Sequence, residues 1–526
     1  MLIIKRLSTK CRNVDVNCFL SILFDTRGTL LSLNCHRNRY YNGRLNVCQR
    51  SLSSVASDIK SNDCKYKIAI IGSGPAGFYT SQQLLKYPNL NIDIYEKFPV
   101  PFGLVRFGVA PDHQEVKNVI NSFTKVAMND RTRFIGNINI GTDVTFQELR
   151  DAYHAVVLCY GSSQDAMLNI PGESLGNVIS ARRFVGWYNG IPQDKDLELS
   201  LNNSCNTAII IGQGNVALDC ARILLTPPDF LRKTDITSHA FQKLSNSNIR
   251  RVVIIGRRGP LQAAFKIKEF RELTKMADCH VRFDWPQSIR EHLDFNDKLI
   301  ESLPRPRRRL AELCRRIIDE SYERKNCSKE CVFKFFLTPV EICSESDKPM
   351  ALASVRLKQN RLDDYVREDS KIMATCDNEL IDEPCGILIR SIGYKSVPLD
   401  PSLPFDHRRG IILNEQGRVI NNPDLYCSGW AAFGATGVIL NTMTASFEVG
   451  KNILQDIQDG RLDTDTMKRG YDQIWPLLQK RQAIVIDFVD WKRIDQFERE
   501  QGRKEGKPRE KIVSVDQILD VKNKFD

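Results

Sequence analysis

Apolar residues in this chain fall into short unbroken runs, and several of the runs stop at a glycine. Ile68 to Ile71, Ala208 to Ile211 and the run in RVVIIG each hold four or five apolar positions without polar alternation. Such runs predict strands buried on both faces of a parallel sheet. After the first two runs the spacing changes to that of a helix with one apolar face, through Leu84 and Leu85 in one case and through ALDCARILL in the other. Further strands are predicted over Ala155 to Gly161 and Ile387 to Lys395. Strand, helix and strand in repetition predict an α/β protein built from βαβ units.

The two strand-to-helix turns are glycine fingerprints, Gly72-x-Gly74-x-x-Gly77 and Gly212-x-Gly214-x-x-Ala217. Glycines at this spacing let the backbone turn sharply and approach a pyrophosphate at a helix N-terminus. The second strand of the first unit ends at Glu96, 19 residues after Gly77. A carboxylate there accepts hydrogen bonds from a ribose 2′-OH, which suits FAD or NAD. The second unit ends instead in Gly256-Arg257-Arg258. A carboxylate about 4 Å from a phosphate costs about 4 kcal/mol at an effective dielectric of 20, whereas guanidinium forks gain charge-assisted bonds. That site suits NADP. Gly212 and Arg257 are 45 residues apart, against about 20 in a simple unit, and the excess around TPPDFLRKTDITSHAFQKLSNSN reads as an inserted polar excursion.

Between the motifs, Val100 to His113 is a Gly/Pro-punctuated loop, too irregular for a helix and too apolar for a solvated linker, of the kind that lines a cofactor site. The stretch NIPGE at Asn169 to Glu173 reads as a crossing into a second domain. From Leu425 a strand leads to Gly429-Trp430 and a glycine turn, and a helix begins near Gly437. Its N-terminus would present N–H groups to a flavin ring; a glycine-bounded core helix is the alternative. The organisation expected is glutathione-reductase-like, with two Rossmann-like dinucleotide-binding domains. An FAD domain (64–168 and 392–526) is interrupted by an inserted NADP domain (169–391).

Charge changes the picture only locally. The chain carries +11, but its first sixty residues hold ten Lys/Arg against three acids, leaving +4 for the remainder. Global basicity is therefore no argument for nucleic-acid binding, whereas residues 1–60 have the composition of a mitochondrial targeting segment, with a tail lacking any address as the alternative. The cluster Arg305-Pro306-Arg307-Arg308-Arg309 survives this correction. The sixteen cysteines are scattered. The closest later pair, Cys327 and Cys331, has the spacing of neither a redox CxxC nor an iron–sulfur site, so no metal site is expected. No apolar run is long enough to span a bilayer.

Together GSGPAGFYT, YEKFPVPFGLVRFGVAPDH, NIPGE, FVGWYNG, GQGNVALDCARILLTPP, GRRGPLQAAF, IGYKS and TGVI resemble the adrenodoxin reductase family, FAD-containing NADPH:ferredoxin oxidoreductases of mitochondria. The resemblance runs from about residue 64 to the C-terminal GKPREKIV. It implies FAD contacts at Ala76, Glu96, Leu104 and Ile140, with Trp430, Gly437, Val438 and Ile439 closing around the flavin. It implies NADP contacts at Gln213, Gly214, Asn215, Val216, Arg257, Arg258 and Glu269, with Gly437 at the nicotinamide end. His113 and Glu272 fall near the reaction centre. Arg271, Arg305 and Arg309 fall on the docking face for an acidic [2Fe-2S] ferredoxin. A monomer in the matrix, at most peripheral to the inner membrane, is implied. The chain departs from the family's usual Trp-x-x-Arg-Gly-Pro at Phe433 and Ala435. A flavin oxidase or monooxygenase, or a nucleotide-sensing interaction protein, stand as alternatives to the reductase.

Overall fold

Two mainly parallel sheets organise the chain in the computed structural model, which describes residues 65–284, 293–321, 327–373, 379–463 and 465–524. The proposed targeting segment, 1–60, lies outside the described residues. The first sheet begins with β1 (Tyr66–Ile71), α1 (Pro75–Leu84), β2 (Leu90–Glu96), β3 (Thr132–Gly136) and β4 (Ala155–Leu158). The register sets Ile70 beside Ile94 on one side and Val157 on the other, which explains the unbroken apolar runs. The second sheet uses β5 (Val178–Ser180), β6 (Thr207–Ile211), α2 (Asn215–Leu225), β7 (Arg251–Ile255), α3 (Ile267–Thr274), β8 (Cys279–Asp284), α4 (Arg305–Ser321) and β9 (Lys329–Lys334). An antiparallel three-stranded sheet follows, from β10 (Leu337–Glu345), β11 (Lys348–Gln359) and β12 (Leu380–Pro384), before β13 (Ile387–Arg390) rejoins the second sheet.

The chain then returns to the first sheet through β14 (Asn414–Glu415), β15 (Arg418–Val419) and β16 (Leu425–Cys427), and ends in helices that include α5 (Ile439–Gln458) and α6 (Phe488–Lys504). The strand orders are β14-β15-β16-β4-β1-β2-β3 and β5-β13-β6-β7-β9-β8. In each, the strand before the glycine turn is internal, so the turn opens at the carboxyl edge of the sheet, where open α/β sheets take ligands. The two crossings between the sheets pair with each other, Gln164 with Lys395 and Asp165 with Tyr394.

Four local readings change. The strand expected over Ile387 to Lys395 ends at Arg390, because the chain turns at Gly393 with φ +102, and Tyr394–Lys395 pairs in a separate two-stranded sheet. β4 stops at Leu158 instead of reaching Gly161, because the chain bends around Gly72, where a Cβ would sit 2.5 Å from the Cys159 carbonyl oxygen. The supposed polar excursion contains helices Pro228–Leu231 and Ser238–Ser245, and it buries Leu231, Ile236, Ala240 and Leu244. The loop after Val100 contains a four-residue helix, Leu104–Phe107, that buries a charged side chain, Arg106.

Candidate functional site

The first turn has the geometry its glycines predict. Gly72 adopts φ +108, and a Cβ at Gly77 would overlap the Gly72 carbonyl oxygen, so neither position accepts a side chain. Gly74 differs, since a Cβ there would meet nothing within 4 Å. It is the residue before α1, whose first turn no side chain caps. Free N–H groups and open space coincide there, which fits a pyrophosphate.

Glu96 ends β2 in a buried position. Its Oε2 accepts from the Ser73 N–H at 3.0 Å and the Ser73 hydroxyl at 2.8 Å, and its Oε1 accepts from the Phe98 N–H at 3.0 Å. An ionised carboxylate offers about four acceptor positions. Three are used, which fixes the carboxylate and leaves one for a ribose hydroxyl.

The remaining FAD candidates gather around this turn only in part. Ala76 packs on the distant Gly429-Trp430 turn, where a Cβ on Gly429 would lie 2.6 Å from the Ala76 Cβ. Trp430 stacks on Tyr394, with ring centroids 5.9 Å apart. Leu104 is exposed and Ile140 is buried in the apolar layer beneath the sheet. Gly437 adopts φ +83 just before α5, and the Val438 N–H donates to Asn441 Oδ1 at 3.3 Å. Ile439 packs against the core. Phe433, at the departure from the family pattern, is exposed.

The second turn repeats the first. Gly212 adopts φ +117 against the Ser391 carbonyl, and Gly214 precedes an uncapped α2 with nothing within 4 Å of its would-be Cβ. Gln213 lies over Gly256, and its amide donates to the Arg258 carbonyl at 3.4 Å. Asn215 accepts from the Lys266 N–H at 2.8 Å, tying the turn to the segment that starts α3, and Val216 packs on the core. Arg258 donates to the Glu368 carbonyl at 3.2 Å. Arg257 is exposed, and among the described residues no partner engages its guanidinium. Gln213 Oε1 and Glu269 Oε2 are buried atoms without partners. Buried orphan acceptors cost free energy unless a donor satisfies them, and the hydroxyls and amide of a second dinucleotide are such donors, while the unpartnered Arg257 fits a 2′-phosphate.

His113 and Glu272 meet, with Nε2 to Oε2 at 2.9 Å. Beside them Arg222 of α2 pairs with Asp112, its Nη2 at 3.1 Å from Oδ1, and with Asp219 at 2.7 Å. Burial would lower the Arg222 value, but Asp112 and Asp219 raise it and keep the guanidinium charged. Sequence reasoning missed this network, which joins the Val100–His113 loop to the second sheet. Its signal was a charged residue inside the apolar stretch CARILL. Asn360, also missed, donates to the Arg257 carbonyl at 2.9 Å and had no sequence signal.

The arginine cluster divides into two pairs on α4. Arg307 donates to the carbonyls of Leu261 and Val366, and Arg308 to those of Glu301 and Leu303. Arg305 and Arg309 are exposed, and among the described residues neither guanidinium has a partner. Four positions apart on a helix, they share a face. Arg271 is half-buried on α3, which packs on α4.

Comparison with known proteins agrees with this geometry. The pyridine nucleotide-disulphide oxidoreductase family matches residues 66–291. The mitochondrial NADPH:adrenodoxin oxidoreductase of Salvelinus fontinalis is 46% identical over 500 residues, covering 94% of this chain and 96% of the relative. The Homo sapiens protein of that name is 50% identical over 459 residues, covering 86% and 91%. Among solved structures, Mycobacterium tuberculosis FprA in complex with NADPH superposes with a TM-score of 0.78 at 36% identity, covering 87% of this chain and 99% of that one. With relatives of that name 46–50% identical over 86–94% of its length, the chain belongs to the NADPH:adrenodoxin oxidoreductases.

Proposed function

We propose that this protein is an FAD-dependent reductase that takes electrons from NADPH and delivers them to a small acidic [2Fe-2S] ferredoxin of the mitochondrial matrix, for cytochrome P450 or iron–sulfur assembly. The observation that carries the reading is the contrast between Glu96 at one open glycine turn and Arg257 with Arg258 at the other. When bound, the nucleotides supply the redox chemistry, with NADPH giving an electron pair and the flavin releasing it as single electrons.

The protein's part is to bind, orient and steer. Residues 64–168 and 392–526 hold FAD, with Gly72, Gly74 and Gly77 shaping the phosphate turn and Glu96 accepting from the ribose. Residues 169–391 hold NADPH, with Gly214 opening α2 to the phosphates. The free Arg257 and the tethered Arg258 meet the 2′-phosphate. His113 and Glu272 hold each other at their Nε2–Oε2 contact, where the loop from the first sheet meets the second. Arg305 and Arg309, with Arg271 behind them, give a positive face that steers an acidic partner. The relatives are named mitochondrial, and among the described residues no helix is long and apolar enough to cross a membrane. The relatives' names support a place in the mitochondrion, and a monomer at most peripheral to the inner membrane completes the proposal.

The test is stopped-flow reduction of the purified yellow protein by NADPH, followed by mixing with a [2Fe-2S] ferredoxin. Turnover should depend on the ferredoxin. Equally fast NADPH oxidation without it would make the protein an oxidase, and a protein without flavin absorption would make it a nucleotide sensor.

A further inference from the structure

A cavity of about 250 Å³, lined by no residue of either glycine turn, opens between the loop after Val100, the C-terminal segment and the helical stretch after α2. Arg106, Lys117, Arg499, Arg509 and Lys511 line it, with Asp235 as the one acidic lining residue. Arg106, Lys117 and Lys511 are each more than nine-tenths buried. Five cations around one small cavity are unusual, because buried charge is tolerated only when it is paired.

The pairing is incomplete. Lys117 reaches both Asp235 oxygens, at 2.6 and 2.7 Å, and Lys511 shares Asp235 at 3.3 Å. Arg106 grips Glu498 through both terminal nitrogens, Arg509 takes Glu498 and Asp495, and Arg499 also takes Asp495. Five basic side chains thus share three carboxylates, two fewer acids than bases. The Arg106 Nε is buried with no partner. Burial pushes Lys511 well below its ordinary value despite Asp235, with Lys117, Arg106 and Arg509 pushing the same way. The cluster lacks counter-charge of about the size a phosphate dianion brings, and guanidinium forks match phosphate geometry.

We propose that this cavity is a binding site for a small phosphate dianion, inorganic phosphate or the phosphate of a small ester, separate from the nucleotide phosphate sites. Asp235 and Asn189, the latter accepting from Lys511 at 3.0 Å, belong to the segment carrying the second sheet, whereas Lys117 and Arg106 come from the first. All five cations belong to the first half, so an anion held here would ease their mutual repulsion.

The test uses the FAD-loaded protein with saturating NADP⁺, so that the 2′-phosphate site is filled. Phosphate and, separately, glycerol 3-phosphate are titrated against chloride at matched ionic strength, by calorimetry and by melting temperature. One saturable site is expected, with Tm rising with phosphate concentration. Tighter binding of the ester would identify an ester as the occupant, and tighter binding of the free ion would identify inorganic phosphate. Lys511→Met and Asn118→Asp, the latter placing a negative charge at the exposed rim of the cavity, should each weaken binding about tenfold or more. Absence of saturable binding overturns the proposal, as does wild-type affinity in Asn118→Asp, a rim substitution that leaves the buried cluster intact.

Discussion

His113 Nε2 lies 2.9 Å from Glu272 Oε2, although 159 positions separate the two residues. The contact joins a loop of the first sheet to a helix of the second, so it exists only when the two halves hold their present arrangement. Residues in direct contact should show interaction energies of about 1 kcal/mol in a double-mutant cycle. We expect His113→Gln and Glu272→Gln each to slow reduction by NADPH, with the double variant little worse than the slower single one. Rates from single-turnover stopped flow measure this, and effects that simply multiply would mean that the pair does not act as a unit.

The arginines at the end of β7 should discriminate between nicotinamide nucleotides unequally. Arg257 is free, whereas Arg258 already donates to the Glu368 carbonyl. A hydrogen bond to a charged group is worth about 1.5–3 kcal/mol, so Arg257→Ala should raise KM for NADPH about ten- to hundredfold. KM for NADH should stay near its wild-type value. A parallel rise for both nucleotides would remove the 2′-phosphate from the explanation.

Within the basic helix the structure separates partner contacts from scaffold. Reversing charge at Arg305 and Arg309 should slow ferredoxin reduction and flatten its salt dependence, because steering by exposed charge is screened by ions. Reduction of ferricyanide should be unaffected. Arg307→Ala should behave oppositely, since its guanidinium satisfies the carbonyls of Leu261 and Val366. Loss of such bonds costs about 1–3 kcal/mol, which melting would detect, while the docking face remains. Equal kinetic defects in both variants would refute the division.

How much of this could be read beforehand depended on whether the cause was local. Gly72, Gly212 and the apolar runs act through neighbouring backbone, so both turns were legible. The split within the arginine cluster was legible in principle, because Leu310, Leu313, Cys314 and Ile317 mark the buried face of α4 and extending it backward reaches Arg307. The stretch after α2 was misread as polar because its buried residues, Leu231, Ile236, Ala240 and Leu244, are spaced singly among mostly polar ones, and their burial depends on what packs over them. Arg106 and Glu498 lie 392 positions apart, and nothing near either one announces the other.

That last pair sets the expected response to acid. Burial by itself would raise the Glu498 carboxyl, but Arg106 and Arg509 outweigh it and hold the group below its ordinary value of 4.5. A carboxylate lowered on folding stabilises the native state above that value, and the contribution is lost as pH falls through the lower folded value. Glu498→Gln leaves Arg106 buried without its counter-charge, which costs about 3–5 kcal/mol near neutral pH. Melting temperatures measured from pH 7 downward should therefore show a large gap between wild type and variant that closes below pH 4.5. A gap of constant size across that range would mean that Glu498 stabilises the fold by its shape and not by its charge.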